Sequence, residues 1–287
     1  MNEFKIKDGT YIRYKVEGEG SPILLLHTIR NRIEYFDNLI PYLINNFKVY
    51  SVELPGHGLS PINENTNYEK YFMTSVICDF IESKKLNNLT IAGESIGAIL
   101  AATISKKVPE KIKKIFCFNP YDYDKKFADG VSRGNLISKF LFFHMRLPFG
   151  IGYFFSKLEC IPILWLIMRG GVYNKKVITF SYIKKLCETL NKKHFTYHER
   201  NVFNNFKSWS NHDENYNNIT VPLSLIYGKY DWSKTKEREA TMTSLGFNSF
   251  ETLINTGHFS FLESPKLVSE IILGQEEEFL PHIFPAV

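Results

Sequence analysis

The sequence predicts an α/β protein with a mostly parallel central sheet, helices on both faces, and a block of helices inserted after the sixth strand. Three observations carry this prediction. Apolar, strand-like runs alternate with amphipathic helical stretches from residue 23 to residue 120. The alternation lapses between 121 and 216, where Phe, Tyr, Leu and Ile fall at helical spacing in places, and it resumes at Val221. One run, Leu89 to Ala102, passes from β-branched strand through Gly93-Glu94-Ser95-Ile96-Gly97 into a small-residue helix without a break. These features divide the chain into a core of residues 1–120 and 217–287 and a helical cap of residues 121–216.

Taken in order, Phe4 to Lys7 and Tyr11 to Val16 alternate around Asp8-Gly9-Thr10, the pattern of a hairpin. Ile23 to His27 is a continuous apolar run, as expected of a parallel strand covered on both faces. A polar, basic loop from Thr28 to Glu34 precedes an amphipathic helix over Tyr35 to Leu43. The next strand, Phe47 to Leu54, ends in the Gly-rich reversal Pro55-Gly56-His57-Gly58-Leu59-Ser60. Tyr68 to Lys84 reads as a helix. The Ser95 strand and helix follow, and then a strand from Ile112 to Phe118. Beyond the cap come a strand at Val221 to Gly228, a helix from Lys234 to Leu245, a strand from Ser249 to Ile254 and a helix from Pro265 to Leu273. The tail from Gln275 to Val287, with Glu276-Glu277-Glu278 and two prolines, is expected to pack on the surface or fray.

At 287 residues the chain can bury a large core, and 44% hydrophobic with 23% charged residues is an ordered, globular balance. The net charge of +5 is modest and Lys is scattered rather than blocked, which argues against a nucleic-acid tract. Cys78, Cys117, Cys160 and Cys187 lie far apart without metal-ligand spacing, as reduced and mostly buried thiols of a cytoplasmic protein would. The charged, alternating N-terminus reads as a strand rather than an export signal. Ile151 to Met168 is the most apolar span, but Lys157, Glu159 and Pro162 make it poor for crossing a bilayer.

Three residues in particular suggest chemistry. Ser95 sits in a sharp strand-to-helix turn, where helix N–H groups favour developing negative charge. Asp231, in Tyr227-Gly228-Lys229-Tyr230-Asp231, and His258, in Gly257-His258, each follow a late strand, at the sheet edge where ligands bind in such folds. With Pro55 to Ser60, these motifs make the chain resemble the α/β-hydrolase fold family over nearly its whole length. The resemblance implies a serine hydrolase acting on a carboxylic ester through an acyl-enzyme. In that scheme His258 takes the Ser95 proton and Asp231 orients the imidazole. It also implies oxyanion donors in the backbone N–H groups of Ile96 and Ile29, although His27-Thr28 stands where relatives often have His-Gly. The same triad would serve acyl transfer, a lactone or thioester, a small amide or a C–C bond, and a low-turnover binding protein of this fold is a further alternative. Epoxide and haloalkane chemistry would place an Asp where Ser95 stands.

Each assignment has a plainer competitor. Ser95 could be a turn serine and His258 a structural histidine. Asp231 could cap a helix, with Asp122 or Asp124 supplying the acid instead. His57 reads as structural, bonding loop backbone, and His27 as a support for the following loop. Arg30 and Arg32 could meet an anionic substrate group but read first as a solvated loop face, and Glu94 either tunes the local field or points at solvent. Phe140, Phe142, Phe143, Phe149, Phe154, Phe155 and Trp165 read mostly as packing between cap and core, with a subset lining a pocket for an apolar or acyl substrate. Lys139, Arg146, Lys157 and Arg169, interleaved among them, make the cap a candidate for weak contact with an anionic membrane surface. No metal or organic cofactor is implied, no nucleic-acid partner is expected, and the substrate-binding residues and oligomeric state stay open.

Overall fold

The computed structural model describes residues 1–148 and 150–277; Phe149 and most of the expected C-terminal tail lie outside them. Eight strands form one sheet: β1 (Asn2–Lys5), β2 (Tyr11–Glu17), β3 (Ser21–Leu26), β4 (Phe47–Val52), β5 (Leu89–Glu94), β6 (Ile112–Phe118), β7 (Leu223–Gly228) and β8 (Glu251–Leu253). Their order is β1-β2-β4-β3-β5-β6-β7-β8. The hairpin strand β2 runs antiparallel to β1 and β4, and every other pair is parallel. The central strands carry near-continuous apolar runs because helices cover both faces; Ile23 to Leu26 and Leu89 to Ala92 are fully buried.

The crossovers are α1 (Ile40–Leu43), α2 (Lys70–Ser83) and α3 (Ile96–Lys107). Between β6 and β7 lie α4 (Leu136–Met145), α5 (Ile151–Ser156), α6 (Ile161–Arg169), α7 (Phe180–Cys187), α8 (Phe195–Asn204), α9 (Phe206–Trp209) and α10 (His212–Tyr216), with no strand among the described residues. After β7 come α11 (Thr235–Ser244), α12 (Ser260–Glu263) and α13 (Pro265–Glu277). The apolar span from Ile151 to Met168 is broken between α5 and α6, and among the described residues no helix is long and apolar enough to cross a membrane.

Several expectations change. The single helix over Tyr35 to Leu43 is instead a 3-10 turn, Ile33–Phe36, followed by the short α1. Pro41 has no N–H to bond back toward Asp37, so a continuous helix cannot form through it, and it sits in the first turn of α1 instead. The last strand is shorter than the expected Ser249 to Ile254: it spans Glu251–Leu253 and ends at Leu253, opposite Gly228 where β7 also ends. Cys160, expected to be buried, is exposed just before α6; Cys117 is buried, and Cys78 and Cys187 are half-buried.

Two glycines let β3, β5 and α3 approach closely. A Cβ on Gly93 would lie 2.1 Å from the Gly97 carbonyl oxygen, and one on Gly97 would lie 2.3 Å from that of Leu26. Both obstacles are backbone, which cannot move aside as a side chain can. Gly97→Ala should therefore destabilise the protein by about 3 kcal/mol, the upper end for forcing one extra carbon into a packed interior. Chemical denaturation checks this; an unchanged midpoint would mean the approach is not tight.

Candidate active site

The carboxyl ends of β3, β5, β6, β7 and β8 converge on one edge of the sheet, and each delivers a polar residue there. At the end of β5 the chain turns sharply into α3, and Ser95 adopts φ 62° and ψ −121°. That is the left-handed side of φ, which a non-glycine residue occupies only when its surroundings over-determine it. Here Ser95 N–H is held by the Phe118 carbonyl of the neighbouring strand at 2.9 Å. The side chain is thereby presented at the start of α3.

His258 follows β8. Its Nε2 lies 2.9 Å from Ser95 Oγ, and its Nδ1 contacts Asp231 Oδ1. A carboxylate can only accept, so Nδ1 carries the proton and Nε2 is left to accept from the serine hydroxyl. Asp231 is fixed in turn by the Ser233 N–H at 3.0 Å and by the Ser233 hydroxyl. Burial alone would raise the Asp231 carboxyl, but its electrostatic interaction and hydrogen bond with His258 and the hydrogen bond from Ser233 outweigh burial and hold it below the usual range. Asp122 and Asp124 are elsewhere. Asp122 accepts from Tyr216 Oη at 2.5 Å and Thr241 Oγ1 at 2.7 Å, and Asp124 accepts from the Gly130 N–H at 2.7 Å. Of the three candidate acids, Asp231 alone meets the imidazole.

Trp232 stacks on the His258 ring, with centroids 4.0 Å apart and planes at 17°. Its indole N–H donates to the Gly170 carbonyl at 3.0 Å, and the His258 N–H donates to the Gly171 carbonyl at 2.7 Å. The helical insertion thus grips both the imidazole's backbone and the ring that covers it. Ser95 and His258 are completely buried beneath this cover.

Glu94 does not point at solvent, as one reading of the sequence allowed. It is fully buried beneath His258 and accepts from the Ser260 N–H at 2.6 Å, the Ser260 and Tyr35 hydroxyls, the Phe261 N–H at 3.3 Å and the Asn119 amide at 3.4 Å. Asn119 also donates to the His258 carbonyl at 3.0 Å and accepts from the Gly228 N–H at 2.7 Å. Sequence reasoning missed Asn119, Ser260 and Tyr35 as supports; only the position of Asn119 at the end of β6 hinted at it.

The loop after β3 is equally built in. His27 Nδ1 donates to the Thr28 carbonyl at 2.7 Å and Nε2 accepts from the Leu54 N–H at 3.0 Å; burial lowers its pKa to about 4. His57 bonds the Pro55 carbonyl at 3.1 Å, as a loop-supporting residue should. β3 ends at Leu26, whose partner in β5 is Gly93, so the loop that carries Ile29 leaves the sheet two residues short of the Ser95 position. The N–H of Ile96 lies in the first turn of α3, where no intrahelical acceptor exists.

Arg30 and Arg32 are not a solvated face. Arg30 donates to Glu159 at 2.8 and 2.6 Å and to Thr189 Oγ1 at 2.8 Å, and Arg32 reaches Glu34 and Glu188. Glu159, Thr189 and Glu188 come from the helical insertion, which the sequence could not bring to the loop. Half-buried Lys192, from the same insertion, donates to the carbonyls of Gly56 and Gly58 at 2.8 and 2.9 Å.

The sequence matches the family described as alpha/beta hydrolase fold over residues 21–134. Among curated proteins it is similar to the (E)-2-((N-methylformamido)methylene)succinate hydrolase of Acinetobacter baylyi, 26% identical over 107 residues, 37% of this chain and 40% of that one. It is also similar to esterase YbfF of Escherichia coli, 25% identical over 113 residues, 39% of this chain and 44% of that one. The match thus spans less than half the length of either relative. Among solved structures, a variant meta-cleavage product hydrolase from Pseudomonas fluorescens superposes with a TM-score of 0.73 at 15% identity, covering 93% of this chain and 96% of its own.

The burial of Glu94 has a consequence for stability. Desolvation raises its pKa to about 7, partly offset by the Ser260 and Tyr35 hydrogen bonds and by electrostatic interaction with His258. A raised folded-state pKa means stability that is full below the unfolded carboxyl value and is lost as pH rises through about 7. The unfolding free energy of wild type relative to Glu94→Gln should therefore fall by on the order of 2 kcal/mol between pH 5 and pH 8. Denaturation of the two proteins side by side checks this, and a difference independent of pH would refute it.

Proposed function

We propose, from the premise that this chain has the α/β-hydrolase fold, that it is a serine hydrolase cleaving a carboxylic ester through an acyl-enzyme. The observation that carries the proposal is the buried relay from Ser95 Oγ through His258 to Asp231. A serine hydroxyl at its ordinary pKa attacks poorly. In our reading His258 Nε2 accepts its proton as Oγ bonds to the ester carbonyl, then delivers that proton to the departing alkoxide oxygen. Asp231 keeps Nδ1 protonated and stabilises the imidazolium that forms between the two transfers. Water then repeats the sequence on the acyl-enzyme, releasing the acid and restoring Ser95.

The tetrahedral oxyanion needs donors already in position. We assign the backbone N–H groups of Ile96 and Ile29, each of which would contribute about 3 kcal/mol to the transition state. The relay is closed off from water, so these dipoles act at low local dielectric. We take residues 1–120 and 217–287 as the catalytic core and 121–216 as its cap. An apolar acyl group suits the aromatic surroundings of the relay, where Tyr121, Trp232 and Phe259 all lie against His258. Four unpaired cysteines suit a reducing compartment, which supports the cytoplasm.

A fluorophosphonate probe should label wild type at Ser95 and leave Ser95→Ala unlabelled; absence of label in folded wild type would favour a binding protein without turnover. In a screen across acyl length, lactones and thioesters with Ser95→Ala as blank, His258→Ala and Asp231→Asn should each lower ester kcat by a thousandfold or more, roughly the effect of disabling such a base. Thermal unfolding near wild type would show that the loss is chemical. Undiminished turnover in His258→Ala would remove the assigned base.

A further inference from the structure

A second surface of the molecule calls for a partner of its own. In α4 the residues Leu141, Phe142 and Met145 are buried against the rest of the protein. Leu136, Phe140 and Phe143, at spacings of four and three on the other side of the same helix, are 82%, 58% and 47% exposed. A helix apolar on all sides is ordinarily covered on all sides. The neighbouring α5, packed on α4 through Phe140, His144 and Phe155, exposes Ile151, Tyr153 and Phe154 in the same way. These six side chains lie within 19 residues of sequence, far denser than the scattered exposed apolar residues normal on a soluble surface.

The charges carried by this stretch of the sequence have one sign. From Gly130 to Leu158 the sequence holds no Asp or Glu, but it holds Arg133, Lys139, Arg146 and Lys157. Arg146 lies over the Phe143 ring at 4.5 Å and Lys157 over Tyr153 at 4.6 Å, so the cations sit on the aromatics rather than away from them. A groove of about 510 Å³ beside α4 continues the pattern with Lys126, Lys139, Arg146 and Lys234 along its walls; its one acid, Asp129, is paired with Arg133. Aromatic and aliphatic side chains with basic groups among them suit the boundary between acyl chains and anionic headgroups, where rings enter the apolar side and cations meet phosphate. A second copy of this chain would bring like charges together instead.

We propose that the α4–α5 face docks reversibly on an anionic lipid bilayer. The surface requires no particular reaction at Ser95, so the inference stands apart from the ester chemistry. It also gives the exposed aromatics a role that packing between cap and core, expected for most of them from the sequence, does not supply. Helical spacing is the reason: Phe140 and Phe143 face opposite to Leu141, Phe142 and Met145.

Flotation of the full chain with vesicles tests it. Protein should rise with vesicles of phosphatidylcholine mixed with phosphatidylglycerol, rise much less with phosphatidylcholine alone, and be released by salt. Phe140→Asp with Phe154→Asp should abolish flotation. Lys139→Glu with Arg146→Glu should weaken it by at least about 30-fold, roughly fivefold for each basic group lost near such a surface. The charge pair changes only exposed side chains, so it keeps the test decisive if the apolar pair impairs folding, and thermal unfolding reports on both. Protein left unbound by the mixed vesicles, or bound equally to both compositions, would overturn the proposal. So would a dimer without lipid that the Phe140→Asp, Phe154→Asp pair dissolves, since the face would then belong to a second copy. Flotation is read without turnover, so its failure and that of the ester reading are separate events.

Discussion

The structure depends on how closely β3, β5 and α3 pass one another at the end of the sheet. Gly93 faces the backbone of Gly97, and Gly97 faces the carbonyl of Leu26, with no room for a Cβ at either. This contact brings the loop after β3 alongside the Ser95 turn and forces the chain from strand to helix within one residue. The positive φ at Ser95 is the conformational cost of that turn. In return the hydroxyl stands clear of the sheet at a helix N-terminus, where free N–H groups are concentrated. A looser turn would fold the hydroxyl back among the strands.

Below and beside the serine, the buried polar groups that hold the relay are hydrogen-bonded to one another. Glu94 collects hydrogen bonds from three separate segments, around Tyr35, Asn119 and Ser260, and thereby ties the end of β5 to the loop that carries His258. A network of this kind is strong only when complete, because each lost partner leaves a desolvated group behind. Its value here is positional. It sets the distance between two residues 163 apart in sequence to that of a hydrogen bond. Stacking of Trp232 and the Gly171 carbonyl perform the same service from the opposite side.

The helical insertion shows two different solutions to the problem of placing charge and apolar surface. Where it meets the loops at the sheet edge, Arg32 is buried and Arg30 and Lys192 are half-buried, and each is met by carboxylates or backbone carbonyls. Bidentate contacts and carbonyl clusters compensate for the water these groups lose. On its outer side the arrangement inverts: rings are exposed and the cations of Arg146 and Lys157 lie across them. The insertion therefore meets the relay and its loops through segments that follow α5, and turns the exposed rings of α4 and α5 outward.

Most of the sheet was legible in the sequence because strand patterning is local: β6 runs over Ile112–Phe118 as the apolar run indicates, and β5 leads into Ser95 as its β-branched residues require. The positions of Ser95, Asp231 and His258 just past strand ends were legible for the same reason. What the sequence could not decide was which distant groups would meet. Asp122, Asp124 and Asp231 all follow strands, and only the packing of β6 beside β7 directs the first two toward Tyr216, Thr241 and Gly130 and the third toward His258. Arg30 looked solvated because its partners lie 129 or more residues away. Spacing along a chain reports which face a side chain takes on its own element; only the tertiary structure decides what that face is turned against.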